Sequence, residues 1–363
     1  MVKTATPGKT RLISFLALAG LACFAATKEA GAAEALAGFE RTEERADCQR
    51  YTGQRQPLFG DLHVHSSYSH DAWVSLQRND PWDAYRFARG EALLQPDADG
   101  DLTVETQISR PLDFTAVTDH AEYFGELNLC TRDSSKLAYW MPQCMLGRAD
   151  NFFLRLLAAR YWSGLGAAGR ESDADRSLIC SVPGADCTAA ALDTWTDVQQ
   201  AAEDHYDRSS DRSFTTFVAY EYSSSTADMG NLHRNVIFAG SDRLPREPFS
   251  RFHSINPEDL WQWMDDLRAK GVESLAIPHN SNASNGQMFK LVDWAGNPLD
   301  DDYARQRIRN EPIVEITQIK GTSETHPALS SRDELAGFEI MPYRVATNAL
   351  SQIEGSYVRE ALR

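Results

Sequence analysis

The alternation of apolar and polar positions divides this chain into three regimes. The first is one apolar run from Leu12 to Ala26, preceded by Lys3, Lys9 and Arg11 and followed by Ala30-Gly31-Ala32-Ala33. A basic start, a short apolar stretch and a small-residue end predict a cleaved secretory signal peptide over residues 1–33. The run has 15 residues, fewer than the roughly 20 a membrane-spanning helix needs, so stable anchoring after cleavage is not expected. Residues 34–56 are polar and read as an N-terminal extension.

The second regime is a series of short β-rich runs separated by helix-like stretches. The runs are Pro57–Ser66, Pro111–His120, Phe214–Ser224, Arg234–Gly240, Val272–Asn280 and Pro312–Gly321. Strands alternating with helices predict an α/β fold with a parallel sheet. One helix between them is clearly punctuated. Asn256 is an N-cap residue, Pro257 suits the first helical position, and Gly271 suits the position after the end. Leu260, Trp261, Met264 and Leu267 form its apolar stripe, read as core packing. The third regime, residues 121–212, breaks the rhythm. It holds four cysteines, a helical run Asn151–Trp162 and a second helix near Trp195–His205. That is too long for a plain crossover and predicts a subdomain inserted into a domain spanning 57–363. The last residues, SYVREALR, begin an amphipathic helix with no stop signal, the pattern of a truncated domain.

Composition narrows the partners. The chain has 363 residues, 42% apolar and 24% charged, an ordinary globular balance. Its net charge is −16; losing residues 1–33 removes Lys3, Lys9, Arg11, Lys28 and Glu29, which makes it −19. Such a surface argues against nucleic acid or an anionic membrane as partner. An anionic substrate would need local positive charge, which a metal cluster supplies. Cys48, Cys130, Cys144, Cys180 and Cys187 remain after cleavage. Export permits disulfides, and Cys130 with Cys144 and Cys180 with Cys187 would close local loops, although spacing does not fix connectivity. No C-x-x-C spacing is present, so the cysteines read as structural.

The candidate chemistry lies at the strand ends. FGDLHVHSSYSHDAW, Phe59–Trp73, places His63 and His65 on one face of a strand, with His70 and Asp71 in the polar turn after it. Asp119-His120 closes the second run, Glu221 lies in the third, His233 precedes the fourth, and His279 ends the fifth. Glu315 lies within the sixth run, and His326 follows it. Seven of the nine histidines belong to this set; His205 and His253 do not. Ligands in α/β folds bind beyond the carboxyl ends of the strands. Imidazole and carboxylate suit zinc, manganese or iron.

HVHSSYSHDA followed by VTDH, a strand-end Glu and single histidines resembles the polymerase-and-histidinol-phosphatase (PHP) superfamily. More closely, GDLHVHSSYSHDAW with AVTDHAEYFG and AIPHN resembles a branch of exported bacterial proteins known as a domain of unknown function, DUF3604. The resemblance runs from residue 57 to the end of the chain, and its first two motifs together are specific. It implies a distorted (β/α)7-type parallel barrel with two or three divalent ions. His63, His65, Asp71, His120, Glu221, His233 and His279 would be the metal ligands, with His70 the near alternative to Asp71 and Glu221 the bridge. The superfamily closes its site with a D-x-H pair. None follows His279, which places the last strand beyond this chain, and His326 is a partial substitute.

The expected activity is hydrolysis of a small anionic phosphate ester, or a sulfate ester, in the periplasm or outside the cell. Asp119 or His326 would orient water or protonate the leaving group. Arg234, Asn280 and Lys320 are candidates for substrate binding, the two cations equally readable as ordinary surface charges. The alternatives are an amide or lactone hydrolase on a similar metal barrel, and a non-catalytic metal-binding remnant.

Overall fold

The computed structural model describes residues 47–49, 51–97, 101–167, 177–345 and 347–362. The expected signal peptide and most of the polar extension lie outside the described residues. The described residues contain ten strands: β1 (Gly60–Val64), β2 (Leu93–Pro96), β3 (Leu102–Thr106), β4 (Phe114–Val117), β5 (Thr215–Phe217), β6 (Ala219–Tyr222), β7 (Arg234–Phe238), β8 (Ser274–Pro278), β9 (Thr317–Gln318) and β10 (Gly321–Thr322). The helices are α1 (His70–Val74), α2 (Pro81–Ala88), α3 (Phe124–Thr131), α4 (Pro142–Gly147), α5 (Phe152–Ala167), α6 (Cys187–His205), α7 (Pro257–Arg268), α8 (Asp301–Asn310) and α9 (Val358–Ala361).

The sheet is parallel in one half only. β1, β4 and β5 run parallel with β4 in the centre, whereas β6, β7 and β8 are antiparallel with β7 in the centre. The expectation of an all-parallel barrel is therefore corrected. Residues 223–233, which join β6 to β7, contain no helix and make a short return, and such connections turn the chain back antiparallel. Among the described residues β1 and β8 do not pair, so the strands form no closed barrel. The third β-rich run is split at Val218 into β5 and β6, and a parallel bridge from His120 to Glu221 joins the two halves.

Pro312–Gly321 is not the strand expected. Only Thr317–Gln318 pairs, in a hairpin with β10, and Glu315 donates one backbone bond to Pro278. Pro312 offers no donor, and Gly321 turns at a φ of +93°, with Glu339 and Met341 packed where a Cβ would sit. The β2–β3 hairpin was not anticipated.

Helix signals acted as the sequence indicates. Asn256 accepts from the Glu258 amide at 2.9 Å and Pro257 opens α7, which buries Leu260, Trp261 and Met264. Each such burial is worth about 1.5–3 kcal/mol. Gly271, just past the helix, has a φ of +81°.

The core has distinct parts. The largest packs α2, α6 and α7 on the sheet through Tyr85, Trp195, Val198, Phe238, Leu260 and Met264. Thus α6, expected within an inserted subdomain, supplies the main core as the crossover between β4 and β5. A second cluster gathers Tyr123, Leu129, Ala158, Trp162 and Ile179. It contains the disulfides Cys130–Cys144 and Cys180–Cys187, with Cα atoms 4.7 and 5.4 Å apart. Cys48 is unpaired. A third, small cluster joins Leu62, Ala116, Phe217, Ala219, Ile237, Leu275 and Ile277, drawn from β1 and β4 to β8.

Candidate metal centre

β1 carries the first two ligand candidates, and its irregularity aims them. The register with β4 shifts between Asp61 and Val64, so the strand bulges where His63 sits. Leu62 joins the small inner cluster, while Val64 packs on the main core. Asp119, just past the end of β4, fixes the loop that follows β1. Its two oxygens accept from the amide and hydroxyl of Ser66, both at 2.6 Å. Burial pushes the Asp119 carboxyl up to about 6. Both oxygens of Asp119 are engaged by Ser66, which ties the segment after β1 to the segment after β4.

Glu221 is the hub. Its side chain is 1% exposed. Oε1 lies 2.6 Å from His233 Nδ1, 3.2 Å from His120 Nδ1 and 3.4 Å from His279 Nε2. Oε2 lies 2.9 Å from His65 Nε2 and 3.5 Å from His63 Nε2. Asp71, 39% exposed, forms the outer edge, 3.1 Å from His65 Nδ1 and 3.3 Å from His120 Nε2. Asp71 makes these contacts and His70 does not. The His70 ring packs against His120, Tyr123 and Trp162, and burial pushes it down to about 3, so it stays neutral.

The cluster splits its imidazoles electrostatically. Burial would raise the Glu221 carboxyl, but His120, His279 and His233 hold it well below the usual range. Asp71 is likewise lowered, by His65 and His120 against the cost of burial. Burial opposes a charge on His63, yet hydrogen bonds to Glu221 and Glu315 push it up to about 9. His65 and His120 are raised in the same way, against burial, by Asp71 and by Glu221. Burial wins at His233 and His279, pushed down to about 3 and about 4.

Several groups of these residues could hold a metal ion. Nitrogen and carboxylate donors fall into four overlapping triads: His63, His65 and Glu221; His65, Asp71 and His120; His120, Glu221 and His233; His63, His279 and Glu315. Within each, the donor atoms lie within 4.8 Å of one another. Bonds of about 2.0–2.2 Å to a shared ion would bring such donors together. His279 Nδ1 is also buried without a hydrogen-bond partner.

All seven residues expected as ligands therefore converge. Glu315 was seen in the sequence but assigned no role, and the structure places its Oε2 2.7 Å from His63 Nδ1. Ser223 was missed; its hydroxyl bonds His120 and lies 3.1 Å from Glu221 Oε1. The signal for Ser223 was its place two residues after Glu221, the same-face spacing of a strand. Asn280 adjoins His279 in the left-handed region, φ 50°, and its buried amide nitrogen has no hydrogen-bond partner among the described residues.

Three other candidates lie apart from the cluster. Arg234 is neither a surface charge nor an open clamp. It is buried, with Nε 2.7 Å from Glu311 and a second bond to the Leu232 carbonyl. Alternation along β7 turns it away from the face that His233 shares. Lys320 sits in the β9–β10 turn, lining a groove with Met341, Tyr343 and Arg344. His326 packs on Tyr357 and accepts from the Ala328 amide. Among the described residues none of the three bonds a member of the cluster.

The disulfides are compatible with an extracellular protein, and no described helix is long and apolar enough to cross a membrane. Comparison with curated proteins finds no match, and comparison with solved structures finds none. A family model does match, over residues 52–363, and the chain belongs to that family, described as protein of unknown function (DUF3604).

Proposed function

We propose that this protein is an exported, metal-dependent hydrolase of small phosphate esters, with sulfate esters as the chemically related alternative. Membership of the PHP superfamily is part of the proposal, as is descent from its barrel; the inner cluster drawn from six strands supports a barrel-like wrap. The observation that carries the reading is Glu221, a buried carboxylate with one oxygen toward His120, His233 and His279 and the other toward His63 and His65. Burying five imidazoles around one carboxylate is costly, and shared cations are the usual compensation.

His63, His65, Asp71, His120, Glu221, His233 and His279 would hold two or three ions of zinc, manganese or iron. Bound there, such ions bring the ionisation of water near neutral pH and neutralise the oxygens of a tetrahedral ester. The chain's own groups do the rest. Glu221 presents its two oxygens to two sets of imidazoles, the arrangement of a bridging carboxylate. Ser223 fixes the rotation of His120, and Asp119 fixes the loop carrying Ser66. The buried amide of Asn280 is a free donor beside His279, suited to an oxygen of the substrate. The partly exposed Asp71 edge leaves a side open for approach.

The test is a panel of aryl phosphates, phosphodiesters and aryl sulfates offered to purified protein whose metal content is measured. Turnover of a phosphate or sulfate ester is expected. Fully loaded protein that turns over none would overturn the hydrolase reading, and less than one ion per chain would favour a non-catalytic remnant. Export has its own check: the mature N-terminus should follow Ala33.

A further inference from the structure

We propose that Glu315 is a positioning residue, holding His63 in the tautomer and orientation that direct Nε2 into the cluster. The inference rests on the reading of the cluster as a metal centre.

The His63 ring is used on both sides. Nδ1 lies 2.7 Å from Glu315 Oε2, whereas Nε2 faces Glu221 Oε2 at 3.5 Å. A neutral imidazole carries a hydrogen on one nitrogen and a lone pair on the other. A carboxylate at 2.7 Å accepts, so it selects the hydrogen on Nδ1 and leaves the lone pair on Nε2. That lone pair then points where His65 Nε2 and Glu221 also converge.

Glu315 is itself held. Its second oxygen accepts from Gln318 Nε2 at 2.8 Å. Its amide donates to the Pro278 carbonyl at 3.1 Å, which ties it to the end of β8 beside His279. The irregular path of residues 312–316 therefore serves the site: a strand continuing along β8 would be governed by ladder pairing, while this segment makes one backbone bond there and turns its carboxylate to His63. Carboxylates that accept from the remote nitrogen of a ligating histidine orient the ring and raise its basicity. Glu315 also lies near His279, which leaves the rival role of direct ligand for the experiment.

Zinc affinity of the full chain, by competition with a chromogenic chelator, is compared for wild type, Glu315→Gln and Glu315→Ala. Nitrogen-15 NMR of the zinc-loaded proteins reads the His63 tautomer. Glu315→Ala should bind roughly 10–100-fold more weakly with the same zinc content at saturation. Glu315→Gln, whose amide oxygen still accepts, should stay closer to wild type and keep the hydrogen on Nδ1. Should Glu315→Ala not fold, Glu315→Asp replaces it, with the same expected direction. Unchanged affinity and tautomer in the Ala (or Asp) variant overturn the proposal. So does loss of a zinc equivalent in Glu315→Gln, which makes Glu315 a ligand. Wild-type protein that takes up no zinc, manganese or iron overturns the metal-centre reading instead.

Discussion

At the scale of single residues, Glu221 concentrates the argument. It sits among five imidazoles, three of which also face Asp71 or Glu315 on their other side. Replacing it by Gln removes that charge without changing shape, and we expect metal affinity to fall by roughly 100-fold or more, beyond what outer-shell changes cost. Elemental analysis of the dialysed variant checks this. Protons and metal compete for the same nitrogens. His63, His65 and His120 hold a second proton more tightly than free imidazole because carboxylates face them. Cation uptake must displace those protons, so affinity should rise with pH through neutrality and toward about 9, where His63 loses its proton. Calorimetry in buffers of different ionisation enthalpy should show protons released on binding. These candidates were legible in the sequence because they gather at the ends of apolar runs, with Asp71 in the polar turn after the first and His233 just before the fourth. Glu315 was visible as a charge in a β-rich run, but its role depends on where an irregular segment returns, which no periodicity encodes.

At the scale of elements, β7, α7 and α8 meet in one buried ion network. Glu311 accepts from Arg234 at 2.7 Å, Trp261 at 2.7 Å and Arg307 at 3.1 Å. Burial would raise its carboxyl, but Arg234 and Arg307 hold it below the usual value. A lowered folded-state value means the network's contribution is fully present above the unfolded carboxyl value of about 4.3 and is lost as pH falls through the folded one. Acid titration of stability should therefore flatten below about pH 4 in Glu311→Ala relative to wild type. At neutral pH that variant should lose about 3–5 kcal/mol, because Arg234 is left buried and unpaired. Chemical denaturation at the two pH values measures both. The pairing of β6 with β7 was not legible, since the apolar runs of parallel and antiparallel strands look alike; the short helix-free link was the available clue.

At the scale of the whole molecule, the disulfide-bonded segment and the sheet halves meet at the site. Trp162 of the bonded segment packs on His70, and His70 packs on His120. Opening Cys130–Cys144, which spans 14 residues, should cost about 3 kcal/mol by the loop-entropy account. The Cys130→Ser, Cys144→Ser double variant should therefore melt lower, and weaker metal binding would show that the segment supports the site as well as its own core. The α/β alternation was readable from the chain, whereas the cysteine spacing suggested the two local pairs without fixing them. The closure expected of a barrel was not met by the described strands, because pairing between distant edges leaves no local trace.

The bridge between His120 and Glu221 has a mechanical consequence. Two of the proposed ligands are also the stitch between the parallel and antiparallel halves, and the Glu221 amide closes it on the Asp119 carbonyl at 2.9 Å. A cation gripping both side chains would act as a rivet across that seam. Amide hydrogens at the seam should then exchange slowly in loaded protein and quicken on chelation, while those in the middle of β7 barely change.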